Sequence, residues 1–366
     1  MQIFDDIFAY IHPQGANCNV YVFKDGNQFD MVDTGISLFG MYRWLIKQMR
    51  KDGFDPKYLR NIFHTHLHPD HIQADHIFQR IAKRSQSLDE AKSKKCCVYC
   101  PKADLFRNHP NFKILRQNLY HLGRVVHNYP FQTIRATRLF GETIFDPLIS
   151  HKPPKMFILF QGDEIVRIGK YSAKTIHTGG HSHGHSYFFF ENLPERILIN
   201  GDSWCINEFT SDFAAVVNAL KISESLRPHN LLGGHDPLKL GPENTIKDMN
   251  SSRRRLDDII RPICMQLKPR AIIDVSYTAH RRVKSLIAIG LVKIWAHMTA
   301  VTFCEFLQNQ GFGTLYADSK GKIWFKIVDS NDLVDKMEQL RDYGRDFSKS
   351  PTRAFEAVFL NAHGNI

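Results

Sequence analysis

Apolar residues in the first two thirds of the chain recur in two rhythms that take turns: short runs with a period of two, and longer stretches with a helical period. Residues 18–33, CNVYVFKDGNQFDMVD, read as two strands joined at Lys24-Asp25-Gly26-Asn27, because Asp-Gly between apolar runs favours a tight reversal. Residues 37–52 predict a helix with Leu38, Met41, Leu45 and Met49 on one face and Gly53 as its stop. A strand over 59–63 runs into a cluster of histidines, residues 72–95 predict a polar helix with a charged end, and 96–100 predict a strand. Residues 156–160 and 164–168 flank Gly162-Asp163 and read as another hairpin. Strands over 172–177 and 187–190 surround a Gly/His-rich turn, and a strand over 196–200 feeds Gly201-Asp202. A helix over 212–226 and a strand over 230–233 complete the series.

This alternation predicts an α/β catalytic domain over residues 1–240, interrupted by a helical, basic insertion within 72–150. After residue 240 the pattern becomes helical over 244–266 and 279–310, then gives a hairpin over 313–328 that turns at Ser319-Lys320-Gly321. Helices followed by a hairpin suggest a winged-helix-like module over 241–330, with a helix and tail over 331–366.

Composition narrows the classes. Seven cysteines in 366 residues argue against a secreted disulfide scaffold and for a reducing, cytoplasmic setting. Cys97 and Cys100 form a lone C-x-x-C on a strand, where side chains three apart face opposite ways; a structural role is expected. The acidic start, MQIFDDIFAYI, does not read as a signal peptide. Residues 286–301, broken by Lys293 and His297, are too few and too charged to cross a membrane. The net charge of +11 is uneven: residues 80–150 hold 13 Lys/Arg against 5 Asp/Glu. Such a surface attracts anions, either a small anionic substrate or nucleic acid.

The chemistry concentrates in His64-Thr65-His66-Leu67-His68-Pro69-Asp70-His71. Four imidazoles and a carboxylate within eight residues are poor packing material, because buried together they are unpaired or repel one another. Neutral imidazole and carboxylate are the usual ligands of zinc. Three further strand ends offer compatible groups, each after a glycine: Gly180-His181, Gly201-Asp202 and Gly234-His235. Seven ligands suit two ions that share a water-derived oxygen. His64 is expected to pack or support rather than ligate, and His177, His183 and His185 stay open. His76 reads as an ordinary polar helix residue, and His109, His121 and His127 as ordinary residues of the insertion.

The order HxHxDH, GGHS, GD, GH, with Asp33 in Val32-Asp33-Thr34-Gly35, resembles the metallo-β-lactamase superfamily over residues 1 to about 240. The resemblance implies a four-layer αββα sandwich. It implies that His66, His68 and His181 hold one metal, that Asp70, His71 and His235 hold a second, and that Asp202 bridges them. Asp33 would support the ligands from behind, and Asp70 would also orient the nucleophile or pass on a proton. The cofactors implied are two zinc ions, with iron or manganese as alternatives. Two departures stand out: Gln73-Ala74 replaces a Gly-Gly pair after the first motif, and Gly180 stands where proline is usual.

Two functions fit. One is hydrolysis of a small ester, thioester, lactone or lactam by a metal-bridging hydroxide. The other is a single-strand-specific endoribonuclease, because residues 244–328 loosely resemble the C-terminal module of that branch. Residues 241–366 carry 19 basic against 14 acidic groups, an excess that does not demand nucleic acid. A homodimer stays open.

Overall fold

The structure is a computed structural model that describes residues 1–13, 18–37, 40–84, 96–105, 157–182, 184–203, 213–252, 270–271, 304, 308, 313–317 and 323–327. Most of the basic insertion, most of the helices expected over 279–310, and the tail after 330 lie outside the described residues, as do Leu38, His109, His121, His127 and His183.

Among the described residues, twelve strands form two large sheets. The first holds β1 (Gln2–Phe4), β2 (Ile7–Tyr10), β3 (Val20–Asp25), β4 (Gln28–Val32), β5 (Leu59–Phe63), β6 (Cys97–Pro101) and β7 (Phe157–Phe160), in chain order. Its pairing is antiparallel from β1 to β4 and parallel from β4 to β7. The second holds β8 (Ile165–Ile168), β9 (Tyr171–His177), β10 (Ser186–Phe190), β11 (Ile197–Gly201) and β12 (Asn230–Gly233). There only the β11–β12 pair is parallel.

Period-two alternation sends successive side chains of one strand into different cores. On β3, Val20 and Val22 join a core on the outer face of the first sheet, while Tyr21 and Phe23 enter the core between the sheets. On β10, Phe188 and Phe190 point between the sheets, while Tyr187 and Phe189 face outward. Aromatic rings knit the middle layer: Phe23 stacks on Phe190 with centroids 4.9 Å apart, and Phe63 meets Phe188 edge to face at 6.1 Å. Each such buried ring contributes about 1.5–3 kcal/mol relative to exposure.

Helices cover both outer faces. Helix α1 (Met41–Lys51) buries Met41, Leu45 and Met49, and the last two join the core on the first sheet. It begins later than residue 37 because Gly40 is left-handed (φ 74°), and it ends near Gly53 as expected. The first histidine motif carries the short helix α2 (Pro69–Ile72), followed by α3 (Asp75–Arg84), which buries Phe78 and Ala82 in the same core. Cys96 and Cys100 lie there too, and burial pushes both thiols up, so their role is packing. A short helix, α4 (Lys102–Leu105), follows β6. Helix α5 (Phe213–Leu226) covers the second sheet through Ala219, and residues 242–252, also helical, add Met249. The result is two sheets face to face between helical layers. Among the described residues no helix is long and apolar enough to cross a membrane.

The hairpin expected around Gly162-Asp163 does not form. β7 pairs in parallel with β6 (Val98↔Phe157), whereas β8 pairs with β9 (Ile165↔Lys174), so the chain crosses from one sheet to the other here. A turn signal specifies a reversal, not which strand each arm pairs with, and both arms find other partners. The hairpin expected over 313–328 does form, from β14 (Gly313–Ala317) and β15 (Ile323–Ile327), and β13 (Arg270–Ala271) adds a third strand beside β15.

Candidate metal centre

The site lies where strands end. β4, β5 and β6 are parallel and deliver Asp33, the histidine motif and Asp104 from the same rim of the first sheet. In the second sheet β9, β11 and β12 share a direction and deliver His181, Asp202 and His235. A backbone bond from Ser186 N to Thr65 O (2.9 Å) joins the two rims.

All seven expected ligands converge, in two groups: His66, His68 and His181, and Asp70, His71, Asp202 and His235. In the first, His181 Nε2 faces His68 Nδ1 at 2.9 Å. In the second, His235 Nε2 lies 3.0 Å from Asp70 Oδ2 and 3.2 Å from Asp202 Oδ2. Asp202 Oδ2 also lies 3.5 Å from His71 Nε2 and 3.7 Å from His181 Nε2, so this carboxylate faces both groups. Asp70 and His235 keep about a third of their side-chain surface, at 32% and 31%, whereas His66, His71 and His181 have none.

Electrostatics separates the groups. Burial, then the neighbouring imidazoles His71, His68 and His181, holds His66 well below its usual pKa. Burial and His181 bring His68 down to about 3. Burial would also depress His235, but Asp202 and Asp70 outweigh it and push it up to about 10. His66 Nε2, His71 Nε2 and Asp202 Oδ1 are buried with no hydrogen-bond partner among the described residues. Buried nitrogens and oxygens without such a partner cost free energy unless something charged satisfies them. A divalent cation fits this donor set, since neutral imidazole and carboxylate both bind one.

Asp33 sits behind the donor groups. It is left-handed at φ 60°, an unusual conformation for a residue with a side chain. Its carboxylate accepts from Thr65 N (3.1 Å) and Thr65 Oγ1 (3.0 Å) and pairs with His71 Nδ1 (2.8 Å), which leaves His71 Nε2 for the site. Burial would raise Asp33, but His71 and His64 bring it down to about 2. His64 supports rather than ligates: it lies fully buried with Nδ1 3.2 Å from Asp33 and Nε2 2.9 Å from Asp75. Burial would depress it, yet Asp75 and Asp33 push it up to about 9. The imidazolium is thus held between two carboxylates, and Thr34 Oγ1 donates to Asp75 at 2.7 Å.

Glycines allow the loops to meet. A Cβ on Gly234 would fall on Asp202 Oδ1, and one on Gly180 would approach the backbone of Val216 in α5 to 2.7 Å, so there is no room for proline at Gly180. The other departure also has an account. Ala74 is fully buried against α3, and Gln73 Oε1 accepts from Ser37 N at 3.1 Å.

Several contributors carry no signal in local spacing. Asn19 donates to Gly233 O and Asp236 O, both at 2.9 Å, and so clasps the loop that bears His235. Tyr21 Oη adds a bond to Gly233 O at 2.6 Å. Cys18, fully buried, stands with Asp33 and His71, and burial pushes its thiol up to about 12. Tyr187 Oη meets Ser203 Oγ next to Asp202 and donates to Ala219 O of α5 at 3.1 Å. Asp75 and Asp104 are reached only through the fold. Of the histidines left open, His177 is exposed at the end of β9. His185 is fully buried; Nδ1 meets Thr178 Oγ1 at 2.8 Å, and its ring lies 5.3 Å from that of His66. Both stand outside the two donor groups. His76 packs with Nδ1 near Gln73 O, an ordinary helical contact.

The described residues form a two-sheet sandwich of αββα type, with His and Asp donors that could hold metal converging at one rim. The model of the metallo-beta-lactamase superfamily matches residues 14–82, which contain Asp33 and the first histidine motif. A metallo-beta-lactamase family protein from Thermus thermophilus has the same fold at 15% identity, with a TM-score of 0.59 over 88% of this chain and 99% of that one. A beta-lactamase domain protein from Burkholderia ambifaria matches at 17% identity and a TM-score of 0.59, over 90% of this chain and 93% of that one. No curated protein matches the chain. The chain thus shares the fold of these two proteins, and its residues 14–82 carry the sequence pattern of the superfamily model.

Proposed function

We propose that the protein is a dinuclear hydrolase acting on a small ester, thioester, lactone or lactam. His66, His68 and His181 would hold one ion, Asp70, His71 and His235 the other, and Asp202, which faces both groups, would bridge them. Zinc suits imidazole and carboxylate donors best, and iron or manganese would also fit. Bound there, the ions supply a water acidified to a pKa of about 7 and a countercharge for the oxyanion of the substrate. The remaining work falls to the chain. Asp70, a third exposed at the open side of the second group, would orient the attacking water or pass on a proton. Asp33 fixes the His71 ring, and the buried surroundings of His66 and His181 keep bulk water away.

The observation that carries this reading is the pair of donor groups in which His66 Nε2, His71 Nε2 and Asp202 Oδ1 are buried without a hydrogen-bond partner among the described residues. The buried thiols of Cys18, Cys96 and Cys100, none of them in a disulfide, support a cytoplasmic setting. Metal analysis with a panel of a thioester, a lactone, a β-lactam and a labelled single-stranded RNA tests the function. Two metals per chain and chelator-sensitive cleavage of one small substrate are expected. Cleavage of RNA alone, falling steeply with salt, would replace this reading with the endoribonuclease and give the sheet of β13–β15 a wing's role.

A further inference from the structure

Asp104 lies three residues past the end of β6, within α4, and is 6% exposed. Its carboxylate reaches out of the first sheet into both loops that carry the first donor group. Oδ2 accepts from Leu67 N at 3.0 Å and from Ser182 Oγ at 3.1 Å, and Oδ1 accepts from Gly184 N. Leu67 stands between His66 and His68, and Ser182 follows His181. One carboxylate therefore ties the backbone of the first histidine motif to the loop that carries His181. The approach is so close that a Cβ on Gly184 would come to 2.6 Å from both Asp104 N and Asp104 Cγ, so Gly184 and Asp104 are matched across the contact.

Three imidazoles from two separate loops converge only if those loops keep their spacing. The backbone bond from Ser186 N to Thr65 O holds the loops together beside His66, but Ser186 is five residues away from His181. A buried carboxylate that accepts from both sides supplies the restraint close to His181, and its negative charge favours a cation beside it.

We propose that Asp104 is a positioning residue for the ion held by His66, His68 and His181, and has little effect on the ion held by the second group. The proposal rests on the metal-centre reading above. Groups that orient ligands in this way are typically worth about 10–100-fold in metal affinity.

The test is a double-mutant cycle read by zinc binding to the full chain, with competition against a chelator and thermal unfolding of the metal-free forms. Asp104→Asn keeps the shape and removes the charge and one acceptor. In a His235→Ala background, where the first group is the intact one, Asp104→Asn is expected to weaken the remaining ion by about 10–100-fold. In a His66→Ala background, where the second group is the intact one, the remaining ion should be unchanged. The metal-free melting temperature should move little in either. Ser182→Ala, which removes only one of the three bonds, should weaken the first ion by a few-fold and serves if Asp104→Asn does not fold. Equal losses in both backgrounds, or a matching loss of metal-free stability, would reduce Asp104 to a general structural role and overturn the proposal, as would unchanged binding in both. A wild-type chain that binds no stoichiometric zinc would instead sink the metal-centre reading itself.

Discussion

The two donor groups stand side by side yet are built on different terms. The first is three imidazoles, with His66 and His181 fully buried and His66 and His68 held in the neutral form by burial and by neighbouring imidazoles. The second mixes two carboxylates with two imidazoles, opens to solvent at Asp70 and His235, and is held together by its own ion pairs. The first group has nothing of opposite charge within it and depends on Asp202 and on outside supports. The second satisfies much of its own charge and depends on what fixes its loops. A site built this way has its open side at the second group, and the first is a recessed anchor.

Removing one donor at a time puts the contrast at greatest risk. His66→Ala and Asp202→Ala should each abolish hydrolysis, a loss of at least about 1000-fold if the ions carry the chemistry. They should differ in metal content: His66→Ala loses one ion, and Asp202→Ala, which faces both groups, loses or loosens both. Equal metal loss in the two variants would merge the groups into one. Next in size is the buried triad behind the second group. His64→Ala leaves Asp33 and Asp75 without the cation between them, and should cost about 3–5 kcal/mol in denaturant unfolding. A cost near zero would show that the triad is not charged in the folded chain.

The supports of the two groups should also come apart. Asn19→Ala releases the loop of His235 and should weaken the second ion by about 10–100-fold while sparing the first, read by zinc competition. The smallest effect expected is from Gly180→Ala, whose methyl meets the backbone of α5; it should cost about 1–3 kcal/mol of stability and loosen the first ion with it. A neutral Gly180→Ala would mean that α5 can move away from the loop without loss.

Much of the fold is legible in the chain for a physical reason. Strands buried on both faces, such as β10 and β11, leave unbroken apolar runs, and the turn at Gly26-Asn27 pairs β3 with β4 through immediate neighbours in sequence. The candidate donors are legible because metal chemistry admits few residue types and several of them fall within one loop. The turn at Gly162-Asp163 is where local reading fails. One of its arms pairs with β6, far back in the sequence, and no local pattern records that choice.

Periodicity and ligand chemistry are local properties, so the order of residues alone was enough for the two-rhythm α/β pattern and for the seven donors. That the donors come within reach of one another, and that His64 is held between Asp33 and Asp75, emerged only with the folded chain. So did the clasp of Asn19 on the His235 loop and the tie that Asp104 makes between two ligand loops. These contacts join residues far apart in sequence, as Asn19 and Gly233 are, and a hydrogen bond between them depends on where the sheets place their strand ends.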